Sequence, residues 1–280
     1  MKKSILILLL AVLLLPISVA RAQLSVAPTP IYIDDRTNAA SFFVSNRSDT
    51  PQEISIELLF GFVVSDSTGN RTVTYEVPEG TTDFDVTDMV RVFPRAFILG
   101  GNQQRTVRVQ VVPRADMPEG TYFARLRVVS QAAAEDLEAL AASLEEGEIA
   151  TRIAYRFEQG FALFYQRGIL NTSVEIAGYT VEVNDENVRV LTQLERTGNS
   201  PYQGTITGTL RNGEGEVVQT VQSATVVYFN MVQPLTFNRA NLPSGSYILE
   251  LDMETSRIDI NPAFVVNSDR INHTLEVQIP

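Results

Sequence analysis

The 280-residue chain contains no cysteine, a single histidine, and no lysine beyond Lys2 and Lys3. Each absence excludes something. Without cysteine there is no disulfide and no thiolate metal site, so packing must hold the fold together. The one histidine, His273, lies in Asn272-His273-Thr274 with no Ser, Cys or carboxylate motif around it, and reads as a surface polar residue rather than a catalytic base. No Gly-x-Ser-x-Gly elbow, phosphate-binding loop or His-Glu zinc motif is present. Carboxylates gather at Asp83, Asp85 and Asp88 and again at Asp185-Glu186, but their spacing fits no calcium loop and suits solvated turns. These gaps point to a non-enzyme that uses no cofactor and no metal.

The charge balance is also one-sided. The chain carries 22 basic and 33 acidic residues; without Lys2, Lys3 and Arg21 the balance becomes 19 against 33, or −14. A lysine-free acidic protein is a poor nucleic-acid binder. Long apolar runs are confined to the beginning. Met1-Lys2-Lys3 precedes an apolar stretch from Ile5 to Leu15 that continues to Ile17 and ends in Ala20-Arg21-Ala22. A short basic head, an apolar middle and an A-x-A exit describe a secretory signal peptide over 1–22, with the mature chain starting near Gln23. No later stretch approaches the ~18 apolar residues of a membrane span. The expected location is a Gram-negative periplasm or the cell exterior, with no membrane insertion after signal cleavage.

Beyond Gln23 the chain is written in short strands. Ala40–Ser45, Gln52–Phe60, Gln104–Val112 and Tyr122–Val129 alternate apolar and polar residues, and turn clusters such as Asn46–Pro51 and Gly100-Gly101-Asn102 separate them. Gly61–Ser65 and Arg71–Val77 flank Asp66-Ser67-Thr68-Gly69-Asn70 and predict a hairpin. Val26–Ile33, with Pro28 and Pro30, suits an edge strand or a strand entry, and Val90–Leu99 is another strand region. Ala132–Leu144, within the longer connection 131–147, is rich in Ala, Leu and Glu with leucines at helical spacing; it reads equally as a short amphipathic helix or a mobile loop. Strands resume from Ser173 to Ile279, with Arg211–Gly215 a strong hairpin turn. The fold class is therefore all-β: two immunoglobulin-like β-sandwich domains in tandem over 23–167 and 168–280, with a short helix or mobile loop before the last strand of the first.

An internal repeat supports the tandem arrangement. Met117-Pro118-Glu119-Gly120-Thr121-Tyr122 matches Leu242-Pro243-Ser244-Gly245-Ser246-Tyr247, and Asn46…Pro51 echoes Asn199-Ser200-Pro201. The first unit carries about 25 extra residues between these marks, at the place of the 61–77 hairpin and the loop after it. A tyrosine just after Pro-x-Gly is the sequence mark of a tyrosine corner, whose hydroxyl ties back to the backbone.

The stretch with most functional content is 150–165. Ile153, Tyr155 and Phe157 alternate with Ala154 and Arg156, and after Gly160 the residues turn almost wholly apolar, Phe161-Ala162-Leu163-Phe164-Tyr165. One strand thus starts exposed and finishes in a core. An unpaired strand edge is a hazard that proteins blunt or use, and alternating apolar residues on such an edge are what adding a strand to a partner's sheet requires. Ile153, Tyr155 and Phe157 are the candidate partner-binding residues, with Arg152 and Arg156 keeping the edge soluble; the edge is placed at 151–159.

The residues Leu24–Pro28 with Ile31-Tyr32, Ala40–Ser48, Phe93–Gly101, Gln104–Val109, Pro118–Leu126 and Phe161–Tyr165 resemble the periplasmic pilus or fimbrial assembly chaperones of the chaperone–usher pathway, over roughly 24–166. The resemblance implies two sandwiches set at an angle and a subunit-binding edge on the last strand of the first. It further implies pilin-like or other β-rich secreted subunits as partners, and an outer-membrane usher as a second. That family anchors the subunit's C-terminal carboxylate with a basic pair in the cleft. The matching positions here hold Pro30 and Gly160, which supply no charge; Arg152, Arg156 and Arg167 are the candidate substitutes. The expected function is a periplasmic chaperone that caps incomplete β-sheet subunits by strand addition. The alternative is a structural or adhesive tandem immunoglobulin-like envelope protein that uses the same edge on itself.

Overall fold

The computed structural model describes residues 24–133 and 155–280. The predicted signal peptide, Arg152, Ile153 and all of the proposed helix or loop beyond Ala133 lie outside the described residues. The described chain is built from short strands separated by turns, as its sequence pattern predicts.

The first sandwich packs two sheets. One contains β1 (Leu24–Ala27), β3 (Ala39–Asn46), β9 (Gln104–Val111) and β7 (Val90–Phe93), in the order β1-β3-β9-β7. The other contains β2 (Ile31–Asp34), β11 (Arg156–Arg167), β10 (Gly120–Ala132), β4 (Gln52–Leu59) and β8 (Ala96–Leu99), in the order β2-β11-β10-β4-β8. Period-two alternation sends Phe42, Val44, Ile54, Val107, Val109, Leu126 and Leu163 into one core. A two-stranded arm, β5 (Phe62–Ser65) with β6 (Arg71–Thr74), extends from the end of β4. It is the hairpin that the sequence predicts over 61–77.

The second sandwich pairs β12 (Thr172–Val183), β13 (Asn187–Gly198) and β16 (Asn230–Asn238) against β15 (Val217–Val227), β14 (Tyr202–Arg211), β17 (Gly245–Glu254) and β18 (Ile271–Ile279). Its core includes Val188, Leu194, Ile206, Phe237, Leu249 and Val277. His273 is exposed on β18.

Three sequence expectations change. The 26–33 run is not one edge strand: the chain passes Pro28 and Pro30 between β1 and β2, which lie in different sheets. Proline has no N–H for a ladder, and the switch places both prolines outside the paired residues. The 90–99 region likewise divides at Pro94 into β7 and β8, one in each sheet. Finally, β10 runs through Ala132, so the first residues assigned to the 131–147 connection belong to a strand.

Both tyrosine corners form. Tyr122 donates its hydroxyl proton to the Pro118 carbonyl at 2.8 Å, and Tyr247 does the same to the Pro243 carbonyl at 2.8 Å. Replacing Tyr247 by Phe removes one such bond at a half-buried site. A loss of about 1 kcal/mol is expected, read as a lower denaturant midpoint with an unchanged slope.

The arm's tip is organised by Asp66. Its carboxylate accepts bonds from the Thr68 hydroxyl at 2.7 Å, the Asn70 amide at 2.9 Å and the Thr68 amide at 2.8 Å. Those donors hold its pKa at about 2, below the usual 3.8. The pKa is depressed in the folded state, so the stabilisation is present above the ordinary value and lost as pH falls through about 2. The Thr68 and Asn70 amide resonances should therefore titrate with a midpoint near 2; a midpoint near 4 would show that the tip is not formed in solution.

Candidate functional site: a free strand edge ending in an interdomain cavity

β11 is paired along its whole length on one side, from Arg156 opposite Gln131 to Arg167 opposite Gly120 on β10. On its other side it is paired only from Leu163 to Gln166, parallel to Ile31–Asp34 of β2. Residues 156–162 therefore leave one side of the backbone without a strand neighbour among the described residues. Seven residues span about 23 Å of open edge. The sequence pattern puts the edge at 151–159; the structure places its described part at 156–162, because β2 joins only from Leu163.

The two faces of β11 have different fates. Phe161, Leu163 and Tyr165 enter the first core. Phe157, in the same phase, has passed the end of that core and is 44% exposed, and Tyr155, just before the strand, is 69% exposed. On the opposite face, Phe164 is buried between the two sandwiches and Ala162 packs beside it. That phase continues outward through Gly160, Glu158 and Arg156. There, Arg156 Nε lies 2.9 Å from Glu158 Oε1, Glu158 lies 3.7 Å from Arg127, and Arg127 pairs with Glu57. A charged ladder thus crosses three strands on the face opposite Phe157. Arg156 reads in the sequence as a free solubilising charge; in the structure it is a member of this ladder.

The lane beside the open edge ends at a cavity of about 280 Å³ between the sandwiches, lined by Pro30, Arg125, Ala162, Phe164, Tyr228 and Arg257 among others. Burial raises the pKa of both Tyr32 and Tyr228 in its walls, so both stay neutral hydrogen-bonding phenols. Tyr32 donates to Gln203 Oε1 at 2.5 Å and stacks between Phe164 and Phe264, 5.1 and 5.3 Å from their ring centres.

Pro30 lines the cavity and Gly160 lies on the β11 face that leads into it, yet the cation of this region comes from elsewhere. Arg125, on β10 opposite Ala162, extends across the bare backbone of Gly160: a Cβ there would stand 3.8 Å from the Arg125 Nη2 atom. Its Nε is buried and has no hydrogen-bond partner, and among the described residues Arg125 forms no ion pair. Arg257, the other cavity cation, is neutralised by Asp259 at 2.5 Å. Of the expected substitutes, Arg152 lies outside the described residues, Arg156 is in the ladder, and Arg167 donates to the Arg114 and Ala115 carbonyls. Sequence reasoning misses Arg125 because only the strand order brings it to Gly160. A signal does exist: it shares the non-core phase of β10 with Phe123, and an aromatic residue in that phase implies that something covers it.

No protein-family model and no curated protein sequence matches the chain. Among solved structures it is similar to the E. coli chaperone DraB, with 13% identity over 90% of this chain and 96% of that one at a TM-score of 0.42. It is also similar to the Salmonella enterica SafA pilin in complex with the SafB chaperone, with 12% identity, 91% and 97% coverage and a TM-score of 0.41. A third is the CsuC–CsuE chaperone–tip adhesion subunit pre-assembly complex from the archaic chaperone–usher Csu pili of Acinetobacter baumannii, with 8% identity, 90% and 98% coverage and a TM-score of 0.42. All three are chaperones, or complexes that contain one, of low identity to this chain. No described helix is long and apolar enough to cross a membrane.

The open edge makes a direct expectation for hydrogen exchange. Along 157–162, amides directed at β10 should be protected and the alternate ones should exchange rapidly, whereas 163–166 should be protected on both sides. Uniform protection over 157–162, read by NMR, would show that another segment fills the lane.

Proposed function

We propose that the protein is a periplasmic chaperone of pilus-assembly type. It holds a secreted β-rich subunit with an incomplete sheet by lending it the β11 edge. The carrying observation is the unpaired stretch 156–162, which stops at the cavity holding Arg125. Main-chain bonds along the edge would supply affinity without regard to sequence, and alternate side chains would supply selectivity. Tyr155 and Phe157 are the described side chains in position to enter a partner's groove, and the sequence alternation extends the row to Ile153.

The cavity also favours one strand direction. A strand in this lane lies in line with β2 and must stop at Thr29-Pro30. Running parallel to β11, it brings its C-terminus to the Arg125 guanidinium, where a terminal carboxylate finds a charge-assisted partner. Running the other way, it would bring a terminal ammonium to the same cation, which Coulomb repulsion disfavours. The parallel direction is the one proposed, with Arg125 in the anchoring role for which Arg152, Arg156 and Arg167 are the sequence candidates. An outer-membrane usher would take the subunit from this complex.

The test is affinity capture of the mature protein from its own cell envelope, beside two variants. The native protein should retain a β-rich subunit one to one. Changing Tyr155 and Phe157 together to Ser should abolish retention. Arg125→Ala should weaken it about tenfold to a hundredfold, the loss of one charged hydrogen bond of ~1.5–3 kcal/mol. Concentration-dependent self-association with no retained subunit would instead identify a structural envelope module that uses the edge on itself.

A further inference from the structure

The β5–β6 arm leaves the first sandwich and lies against the second, and each part of it has a separate attachment there. At its base, Phe62 is buried against Tyr228 and Phe229 of the second sandwich, with ring centres 5.8 and 5.0 Å away. Next, Val63 packs against both the interdomain cluster and the second core. Further out, Ser65 Oγ accepts the Val232 amide at 2.7 Å. At the tip, the Thr68 carbonyl accepts from Arg189 Nη2 at 2.6 Å. Gly69, at φ +80°, fits so closely that a Cβ would stand 2.7 Å from Pro234 Cδ. On the return strand, Arg71 donates to the Ala224 carbonyl at 3.1 Å and to Gln233 Oε1. The tip that presents these groups is itself fastened by the Asp66 carboxylate.

The attachments run from the interdomain aromatic cluster out over β15 and β16 to Arg189 on β13. A single contact at the joint would resist sliding but not rotation. Contacts spread along a stiff hairpin resist rotation too, because any change of angle must break the outermost ones. The arm also contributes to the cavity: Val63 of the arm and Val226 of the second sandwich both line it. A change in interdomain angle would therefore change the distance between those walls, and with it the seat of a strand terminus beside Arg125. Part of the excess length of the first sequence repeat is used on this brace.

We propose that the β5–β6 arm is a strut that fixes the width of the interdomain cavity, and that Gly69, Arg71 and Arg189 are positioning residues for the partner's strand terminus. The strut stands on the arm's own contacts; its consequence for a partner rests on the strand-addition reading. The cavity is thus set before a partner arrives, and binding does not require the domains to close.

Because the chain has no cysteine, Gln104→Cys and Glu214→Cys introduce a single pair of spin labels, one on each sandwich, at exposed positions. Pulsed dipolar spectroscopy on the native background should give one narrow distance peak. Arg71→Ala with Arg189→Ala, which removes the Arg71 bonds to Ala224 and Gln233, the Arg189 bond to the Thr68 carbonyl and the Arg189–Glu182 ion pair, should broaden or shift it by several ångström, and Gly69→Val should do so alone. An unchanged peak in both overturns the strut. The double variant should also lose retained subunit several-fold, although it leaves β11 and Arg125 untouched. A broadened peak with full retention overturns the positioning role. Native protein that retains nothing removes the strand-addition reading and this role with it, while the distance measurement still decides the strut. Tyr155→Ser with Phe157→Ser should keep the narrow peak and lose the subunit, which separates failure of the edge from failure of the brace.

Discussion

The twelve-residue antiparallel ladder between β10 and β11 is the constraint on which the rest depends. Pairing fixes the phase of both strands at once, so every side chain on them is committed to one of two faces. One face supplies Tyr122, Ala124, Leu126, Phe161, Leu163 and Tyr165 to the first core. The other supplies Phe123 and Phe164 to the interdomain cluster, and Arg125 to the cavity. A slip by one residue would exchange these sets, bury Arg125 in the first core and turn Leu163 outward. The ladder thus ties the stability of the first sandwich to the geometry of the joint and to the chemistry of the open edge.

The joint is unusually apolar for a contact between two sandwiches. Phe62, Phe123, Phe164 and Tyr228 are buried together, with Phe60, Phe84 and Phe229 around them. Most neighbouring rings meet edge-on or offset at 4.8–6.0 Å, the arrangement favoured by their quadrupoles. Arg196 lies over both Phe84 and Phe229, at 4.8 and 5.3 Å, so a cation shields the cluster's rim. Interdomain contacts that permit motion are usually more polar. An aromatic joint braced by the arm behaves instead as a third core, and the two sandwiches act as one body around a fixed cavity.

Much of this is legible in the sequence, and the parts that are not share a cause. Both tyrosine corners are readable because donor and acceptor are four residues apart. The strand carrying Phe157 and Phe161 is readable because period two is local. By contrast, the inner limit of the open edge at Ala162 depends on where β2 joins, and the placement of Arg125 over Gly160 depends on which strand lies beside β11. Neither is set by residues near in sequence. The splitting of 26–33 and 90–99 between sheets is intermediate: the prolines mark each break, but only the packed sandwich decides that the chain changes sheet there.

An exposed edge with aromatic residues invites aggregation, and the way it is managed depends on the same ladder. The face opposite Phe157 carries the Glu57–Arg127–Glu158–Arg156 row, which crosses the strand order at the open end. Pairs this exposed contribute little to stability. Their effect is on which neighbour can approach. An intruding strand that buried this face would have to desolvate four charges, a cost exposed apolar residues could not offset. A strand that approaches along the other face, where Phe157 and Tyr155 project, desolvates none of them. The charges therefore leave the main-chain bonding of the edge intact while restricting which face of an added sheet can be covered. Gly160, a neutral position on that face opposite Arg127, is where Arg125 passes over the bare backbone. One alternation in this way sets both the charges on one face of the edge and the exposed aromatic residues on the other.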